Sequence, residues 1–236
     1  MKIALTVIAH NEEENIEKCL LSALSQTLKP DEIIVVCHNC SDNTVEIVNK
    51  FKEVKAVILN GPAGAVYARA KAYEMVSSDI DIIAATDGDC FLSKKWLENQ
   101  IKPFEDEKVV ATGGAIYFSN SFYANLMSLS FFFFEPLFRR NFVYYFWGAN
   151  HAFRKDTYKI TDGFKGLIEL RKEKNLHYWA EDQYSSLLLN KFGTVKFVSN
   201  SVAWTKSPKL NLWQWLKRGK WQDEDRVKIF KYFGLE

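Results

Sequence analysis

Asp87 and Asp89 stand two residues apart, with Gly88 between them, at the end of a short apolar run. The run, Ile80–Thr86, has the length and composition of a buried strand. Two carboxylates at the carboxyl edge of a strand form a compact set of hard oxygen ligands. Such a set suits Mg²⁺ or Mn²⁺, which keep several waters and are completed by substrate phosphates. Because Asp and Gly are also common turn residues, the motif alone does not establish a metal site.

The elements that must position these carboxylates alternate between strands and helices over the first hundred residues. The predicted strands are Ile3–Ala9, Ile33–Val36, Val54–Leu59 and Ile80–Thr86. The stretches between them have the apolar spacing of helices. This order predicts an α/β fold with a mostly parallel sheet, right-handed crossovers and flanking helices. Ligands in such folds bind beyond the carboxyl ends of the strands, where Asp87 and Asp89 are expected.

Two of the predicted helices have recognisable capping residues. Asn11 precedes Glu14 by three residues, which predicts a capping box at the start of the first helix. Ser93 is predicted to cap the helix that carries Trp96 and Leu97.

The second half of the chain is richer in aromatic residues. Val109–Phe118 and Val195–Val198 are predicted strands, and residues 210–233 are predicted to form an amphipathic helical tail. The segment from Phe122 to Trp147 is dense in phenylalanine and contains the basic pair Arg139-Arg140. An apolar segment with a cationic end suits contact with a membrane surface. A buried core helix and an oligomer interface are the alternatives.

Composition limits the possible function classes. The chain has 236 residues, enough for a real core, and a net charge of +2, so no strongly charged partner is implied. It has no long basic block, and we expect no nucleic-acid partner. No apolar run approaches ~18 residues, so no membrane-spanning helix is expected.

Four cysteines are present: Cys19, Cys37, Cys40 and Cys90. Cys37 and Cys40 have the spacing of half a zinc site or of a redox pair, but no second cluster completes a tetrahedral set. The favoured interpretation is free thiols in a reducing compartment, and the expected location is the cytoplasm.

Several segments, in order along the chain, resemble family 2 glycosyltransferases of the GT-A fold. The resemblance runs from about Leu5 to Trp221. The resembling segments are residues 6–13, 33–44, 68–70, 87–89, 113–114, 148–154, 162–164, 181–182 and 217–221. It implies a GT-A-like, Rossmann-type sheet with an acceptor-side C-terminal half.

The resemblance implies a nucleotide-sugar donor in the first half of the chain. Ala9, Asn11 and Glu12 fall on the family's opening strand and Asn-Glu turn, which border the nucleotide base. His38 stands where the family often has an aspartate that pairs with the base, and an imidazole can still donate or accept one hydrogen bond. Arg69 falls on an arginine that the family uses near the nucleotide, where a guanidinium suits phosphate.

The Asp87-Gly88-Asp89 segment matches the family's metal motif. Asp89 is expected to bind Mg²⁺ or Mn²⁺ directly, whereas Asp87 is expected to contact the ribose or a metal-bound water. The metal would assist departure of the diphosphate. A UDP-sugar is the favoured donor from its frequency in the family, and a GDP-sugar is second.

The resemblance places acceptor-side residues in the second half. Gly148 and Asn150 lie in the sugar and acceptor segments, and Glu181 precedes Asp182, the expected general base. A carboxylate at a helix N-terminus can also be only a cap favoured by the helix dipole.

The segment at residues 217–221 resembles the Gln-Arg/Gln-x-Arg-Trp motif of polysaccharide synthases. Arg218 and Trp221 keep their positions, whereas Lys217 and Lys220 replace Gln and Arg. The three basic residues are expected to hold the diphosphate, and Trp221 to contact the acceptor. The two lysines are point charges, which disfavours a processive synthase. An amphipathic helix with scattered basic residues is the alternative.

Together these segments imply one catalytic domain over residues 1–236. Residues 1–115 would form the nucleotide-sugar-binding half, and residues 116–236 the acceptor-binding half and helical tail. The expected activity is inverting transfer of a sugar from a nucleotide-diphosphate donor to a hydroxyl of a glycan or lipid-linked acceptor. If the aromatic segment meets lipid, the protein would lie at the inner face of the membrane.

Two other functions stay open. A sugar-nucleotide nucleotidyltransferase would be expected to open with a Gly-rich, basic phosphate loop, which residues 9–14 lack. A non-catalytic carbohydrate-binding protein could keep the same fold.

Overall fold

In the first half, parallel strands alternate with helices, because each apolar run is followed by a segment with helical spacing. The computed structural model describes residues 1–120, 125, 148–160, 164–176, 180–206 and 212–234. The first-half elements are β1 (Ile3–Ala9), α1 (Ile16–Leu24), β2 (Glu32–His38), α2 (Thr44–Val48), β3 (Val54–Leu59), α3 (Ala65–Glu74) and β4 (Ile82–Asp87). All four predicted strands are confirmed.

The rest of the chain adds strands of 2 to 12 residues and more helices. Its described elements are β5 (Phe91–Leu92), α4 (Trp96–Ile101) with a 3₁₀ turn (Lys102–Glu105), β6 (Val109–Phe118), β7 (Asn150–Arg154), α5 (Lys155–Ile160), α6 (Lys165–Lys174), α7 (Ala180–Asn190), β8 (Thr194–Thr205) and α8 (Leu212–Phe233). β8 is longer than the predicted strand, and α8 confirms the helical tail.

The described strands form one sheet in the order β3-β2-β1-β4-β7-β6-β8-β5. Strands β1 to β4 are parallel, as predicted. β7 is antiparallel to both β4 and β6, and β5 is antiparallel to β8. The sheet is therefore mixed rather than mostly parallel in its second half, since apolar periodicity reports a strand but not its direction.

Buried side chains cover both faces of the sheet. On one face Val7 and Val35 pack against Ile16 of α1. On the other, a larger core joins the sheet to α3, α6, α7 and α8, and it includes Leu167 and Ile229. Burying each such aliphatic side chain contributes roughly 1.5–3 kcal/mol. These two cores hold the strand ends in fixed positions.

The predicted capping box at Asn11 is wrong. Asn11 has a φ of 55°, and its Oδ1 accepts a hydrogen bond from the Ser41 N–H at 2.7 Å. Helix α1 begins later, at Ile16, without a side-chain cap. Asn tolerates the left-handed conformation, so Asn11 instead turns the chain sharply after β1.

The predicted cap at Ser93 is also wrong. Its hydroxyl is buried without a hydrogen-bond partner among the described residues, whereas its carbonyl accepts from the Trp96 N–H at 2.9 Å. The start of α4 is therefore held by backbone rather than by side chain.

The four cysteines are free, as predicted. Burial raises the pKa of the Cys37 thiol to about 12, so it stays protonated at neutral pH. In the described part of the chain, no helix combines the length and apolar character needed to cross a bilayer. Apart from Asn125, the aromatic segment from Phe122 to Trp147 lies outside the described residues, so its interpretation stays a prediction.

Candidate functional site

The carboxyl ends of β1, β2 and β4 meet at one edge of the sheet. Ala9 is paired with Cys37, next to His38, and Ile8 is paired with Asp87. The Gly88 N–H donates to the Ile8 carbonyl at 2.8 Å. The edge thus brings together the strand-end residues expected to border a nucleotide.

Arg69 reaches this edge from α3 and bridges two distant carboxylates. Its Nη2 lies 2.7 Å from Asp87 Oδ1, and its Nη1 lies 3.4 Å from Glu181 Oε1. Arg69 is only 4% exposed. Burial alone would lower the pKa of Arg69, but Asp87 and Glu181 outweigh burial and raise that pKa. A permanent buried cation therefore connects α3, β4 and α7.

Asp182 lies beside this bridge, in the first turn of α7. Removal from water raises the pKa of Asp182 to about 7, and the neighbouring Glu181 adds to the increase. Arg69 and a hydrogen bond from the Gly148 backbone oppose it. Near neutral pH this carboxylate can both accept and release a proton, as a general base requires.

Asp182 lines a pocket that includes four Tyr and Phe side chains. The lining residues are Arg69, Tyr73, Gly148, His151, Phe153, Tyr158, Phe164, Glu181, Asp182, Ser185, Leu188 and Leu189. The Tyr73 hydroxyl lies 2.9 Å from His151 Nε2. The sequence interpretation did not single out Tyr73, although it stands four residues after Arg69 and so on the same face of α3. Of the family-like segment at residues 162–164, only Phe164 is described.

Asp89 has surroundings different from those of Asp87. Its Oδ2 accepts a hydrogen bond from the Thr205 hydroxyl at 2.7 Å. No basic side chain pairs with it within the described ranges. Burial raises the pKa of the nearby Glu12, and the negative charges of Asp89 and Asp87 raise it further. This excess of negative charge fits a divalent cation.

No cluster of three or more potential metal-binding side chains occurs in the described part of the chain. Asp87 and Asp89 would therefore supply only part of a coordination sphere. Waters and diphosphate oxygens would have to complete it, as Mg²⁺ commonly allows.

His38 is buried at the end of β2, with its Nε2 3.2 Å from Asn39 Nδ2. Burial lowers the pKa of His38, and His10 lowers it further, so the ring is neutral at pH 7. Asn39, which the sequence interpretation did not single out, also donates to the Gly61 carbonyl at 3.0 Å. It thus links the loops that follow β2 and β3.

The structure argues against the expected role of Asn150 in contacting an acceptor. The residue is fully buried. Its Oδ1 accepts from Trp96 Nε1 at 2.8 Å and from Gln100 Nε2 at 2.6 Å. Its Nδ2 donates to the carbonyls of Ala115 at 2.8 Å and Ser201 at 3.0 Å. The hydrogen-bonding atoms of its side chain therefore all link β7 to its neighbours α4, β6 and β8.

The predicted glycines serve close packing. A Cβ at Gly114 would lie 2.4 Å from both Asn150 Oδ1 and the Ser201 carbonyl. A Cβ at Gly148 would lie 2.5 Å from Arg69 Nη2. Both positions therefore exclude a side chain in this arrangement.

Of the three basic residues in the 217–221 segment, the two whose side chains are described, Lys217 and Lys220, lie outside this group of contacts. Lys217 Nζ lies 4.7 Å from the centre of the Trp221 ring, and Lys220 Nζ lies 3.9 Å from Glu224. Neither lysine pairs with Asp87 or Asp182 within the described ranges. The Arg218 side chain lies outside the described residues.

Comparison of the sequence with known families finds a match over residues 5–161 to Glycosyl transferase family 2. The glycosyltransferase AglE of Haloferax volcanii is 31% identical over 123 residues, which is 50% of this chain and 40% of that protein. The Escherichia coli protein WfaP, a UDP-Glc:alpha-D-GlcNAc-diphosphoundecaprenol beta-1,3-glucosyltransferase, is 31% identical over 122 residues, 51% of this chain and 48% of that protein. The chain thus spans less than half the length of these two relatives.

Two similar solved structures cover the whole of this chain. One is mannosyltransferase PcManGT from Pyrobaculum calidifontis in complex with GDP-Man and Mn²⁺, with a TM-score of 0.71, 16% identity and 64% of its own chain covered. The other is glucosyl-3-phosphoglycerate synthase from Mycobacterium tuberculosis with Mn²⁺, UDP and phosphoglyceric acid, with a TM-score of 0.65, 13% identity and 79% covered. These likenesses confirm the GT-A fold. Since the family match spans well over half of the chain, the protein belongs to glycosyltransferase family 2.

Proposed function

We propose that this protein transfers a sugar, with inversion, from a nucleotide-diphosphate donor to an acceptor hydroxyl. The observation that carries the proposal is Asp182, a proton acceptor poised near pH 7 in a pocket joined through Arg69 to the Asp87 strand end. Membership of glycosyltransferase family 2 supports it and argues against the nucleotidyltransferase alternative.

In this mechanism the acceptor oxygen forms a bond to the anomeric carbon while the bond from that carbon to the diphosphate oxygen breaks. The diphosphate leaves with the electron pair, and the acceptor proton passes to the Asp182 carboxylate. A single displacement inverts the anomeric centre and needs no covalent enzyme intermediate.

Asp89, with Asp87 beside it, would hold Mg²⁺ or Mn²⁺. When bound, such an ion stabilises the negative charge of the departing diphosphate. The similar solved structures that contain Mn²⁺ with GDP-Man or UDP support this part of the proposal. The basic residues of α8, Lys217, Arg218 and Lys220, would add positive charge if α8 closes on the donor.

His38 would border the nucleotide base as a neutral imidazole. We favour UDP over GDP, because the E. coli relative is named for a UDP-sugar. Titration of UDP and GDP, with Mn²⁺ present, into the wild-type protein and a His38→Ala variant tests both points. Unchanged affinity for both nucleotides would exclude a contact with His38.

The acceptor would be lipid-linked, as the name of the E. coli relative states for that protein. The aromatic segment from Phe122 to Trp147 would then lie at the membrane surface, where Arg139 and Arg140 would attract anionic lipid. Flotation with liposomes of anionic and of neutral lipid tests this contact. A protein that fails to float with either liposome, and whose Phe132→Asp variant unfolds, would show that the segment belongs to the core.

The central experiment compares Asp182→Asn with Asp89→Asn. Asp182→Asn should keep binding of UDP or GDP with Mn²⁺ but lower turnover of the nucleotide sugar by about 10²–10⁴-fold, the usual contribution of a general base. Asp89→Asn should abolish the metal dependence of nucleotide binding, since an amide lacks the charge that holds a hard cation. Calorimetry and a panel of nucleotide sugars supply the measurements. Wild-type turnover in Asp182→Asn would refute the assignment of the base.

A further inference from the structure

Arg69 is enclosed in a way that does not suit the phosphate contact expected from its sequence position. Each terminal nitrogen already faces a carboxylate, Asp87 on one side and Glu181 on the other. Its Nε is buried and has no hydrogen-bond partner among the described residues. The backbone at Gly148 closes a further side, because even a Cβ there would lie within 2.5–2.7 Å of the guanidinium. Because Arg69 is only 4% exposed, a diphosphate could reach the terminal nitrogens only if these neighbours moved aside.

The two carboxylates belong to elements that are far apart in sequence. Asp87 ends β4 and leads directly into the proposed metal motif, and Glu181 directly precedes the proposed base in the first turn of α7. Their separations from Arg69 are 18 and 112 residues. The guanidinium therefore links the first turn of α7 to the end of β4 at the edge of the sheet.

We infer that Arg69 is a positioning residue, whose bridge from Asp87 to Glu181 sets the distance between the metal motif and Asp182. The inference rests on the proposed function and deepens it. Glu181 then acts through the same bridge rather than by contact with an acceptor. The planar guanidinium suits this role because it presents separate N–H groups in a fixed fork.

A positioning role and a phosphate-binding role give opposite results in Arg69→Lys. The lysine keeps one positive charge, but a single ammonium cannot reproduce the fork, either between two carboxylates or on a phosphate. Loss of the bridge should loosen the first turn of α7. Loss of a phosphate contact should instead weaken nucleotide binding.

The experiment measures hydrogen exchange of the α7 amides, residues 180–190, and the affinities for UDP and GDP with Mn²⁺. Arg69→Lys should speed α7 exchange by about 10-fold or more, because local opening becomes easier, while nucleotide affinity changes less than about 3-fold. Glu181→Gln should show the same exchange effect, and the double variant should exceed neither single variant, as expected for one shared interaction.

Arg154→Lys is a matched control. Arg154 is the last residue of β7, and it donates to the carbonyls of Phe104 and Val109. Like Arg69→Lys, its replacement by lysine therefore removes hydrogen bonds made by a guanidinium, but at a site away from the bridge. It should leave α7 exchange unchanged relative to the rest of the chain.

Two results would overturn the inference. One is a 10-fold or greater loss of nucleotide affinity in Arg69→Lys with wild-type α7 exchange, on the order expected for one lost charged contact. The other is wild-type exchange in Glu181→Gln, which decides the matter alone if Arg69→Lys fails to fold. A different result would show that the proposed function is wrong: Asp89→Asn would keep the metal dependence of nucleotide binding. That result would not change the conclusion drawn from hydrogen exchange.

Discussion

Asp87 and Asp89 are nearly adjacent in sequence but have different electrostatic partners. Asp87 forms an ion pair with Arg69, whereas among the described residues Asp89 accepts a hydrogen bond from the Thr205 hydroxyl and a weak thiol contact from Cys90 at 3.4 Å. The motif itself was predictable from the strand that precedes it. The contacts of this motif could not be predicted from the sequence, because partners up to 116 residues away leave no local pattern. These partners are Arg69, Glu181 and Thr205.

The Thr205 hydroxyl is predicted to orient Asp89 for the metal. Thr205→Val keeps the side-chain shape but removes the donor, and it should weaken Mn²⁺ binding by roughly 10–100-fold, the usual effect of losing a partner behind a metal ligand. Thr205→Ser keeps the hydroxyl and should bind Mn²⁺ nearly as well as the wild type. Electron paramagnetic resonance titration of Mn²⁺ in the presence of UDP measures both affinities. Equal affinities in the two variants would exclude this role.

The raised pKa of Asp182 predicts a definite pH dependence. Because the base must be ionised to accept a proton, kcat/KM should rise with pH and level off above an apparent pKa near 7. Because the charge of Glu181 raises this pKa, the apparent value also depends on the ionisation of Glu181. In Asp182→Asn the rise should disappear along with most of the activity.

The free energy of unfolding should fall with rising pH, whereas kcat/KM should rise. The folded pKa of Asp182 lies above its unfolded value of about 3.9, so the folded state binds more protons between about pH 4 and 7. The free energy of unfolding should therefore fall as the pH rises through this window, and Asp182→Asn should reduce that fall. Urea unfolding at pH 5 and pH 8 checks the sign. An equal slope in both proteins would contradict it.

At the scale of the elements, the strands were predictable and their ends were less so. Apolar runs fixed β1 to β4 because buried strands need such runs whatever surrounds them. The predicted caps at Asn11 and Ser93 are wrong because each residue makes a long-range contact instead. Asn11 accepts a hydrogen bond from the Ser41 N–H, and the Ser93 N–H donates to the Val202 carbonyl at 2.9 Å. Strand direction in the second half depended on the position of β7, which no local pattern encodes.

Asn150 is predicted to stabilise the sheet rather than to bind an acceptor. Asn150→Ala would leave two donors and two carbonyls without their partner, at about 1–3 kcal/mol for each group left unsatisfied. We therefore expect a loss of more than ~3 kcal/mol in the free energy of unfolding, measured with urea. Asn99→Ala is the control, because the Asn99 side chain bonds to Asn200 alone among the described residues, and it should change stability by less than about 1 kcal/mol. A stable Asn150→Ala protein that loses only acceptor affinity would restore the original interpretation.

On the scale of the whole molecule, the two predicted halves share one sheet. β7 comes from the second half of the chain, yet it lies between β4 and β6. β6 in turn pairs with β7 and β8, and the proposed boundary at residue 115 falls inside β6. The same interleaving brings Asp182 to the edge that carries Asp87, so the site depends on both halves.

This arrangement predicts that residues 1–120 will not fold cooperatively as a separate fragment. Without β7 and β8, strand β6 loses both of its neighbours in the described sheet. The edge of β4 is then exposed together with Ile83 and Ala85, which are buried in the intact chain. The larger core also loses its contribution from α6, α7 and α8, which include Leu167, Leu187 and Ile229. Far-UV circular dichroism during urea unfolding should show a broad transition or none, whereas the full chain should show a single sigmoidal one. A fragment that unfolds cooperatively and binds UDP with Mn²⁺ would instead establish the first half as an independent nucleotide-binding domain.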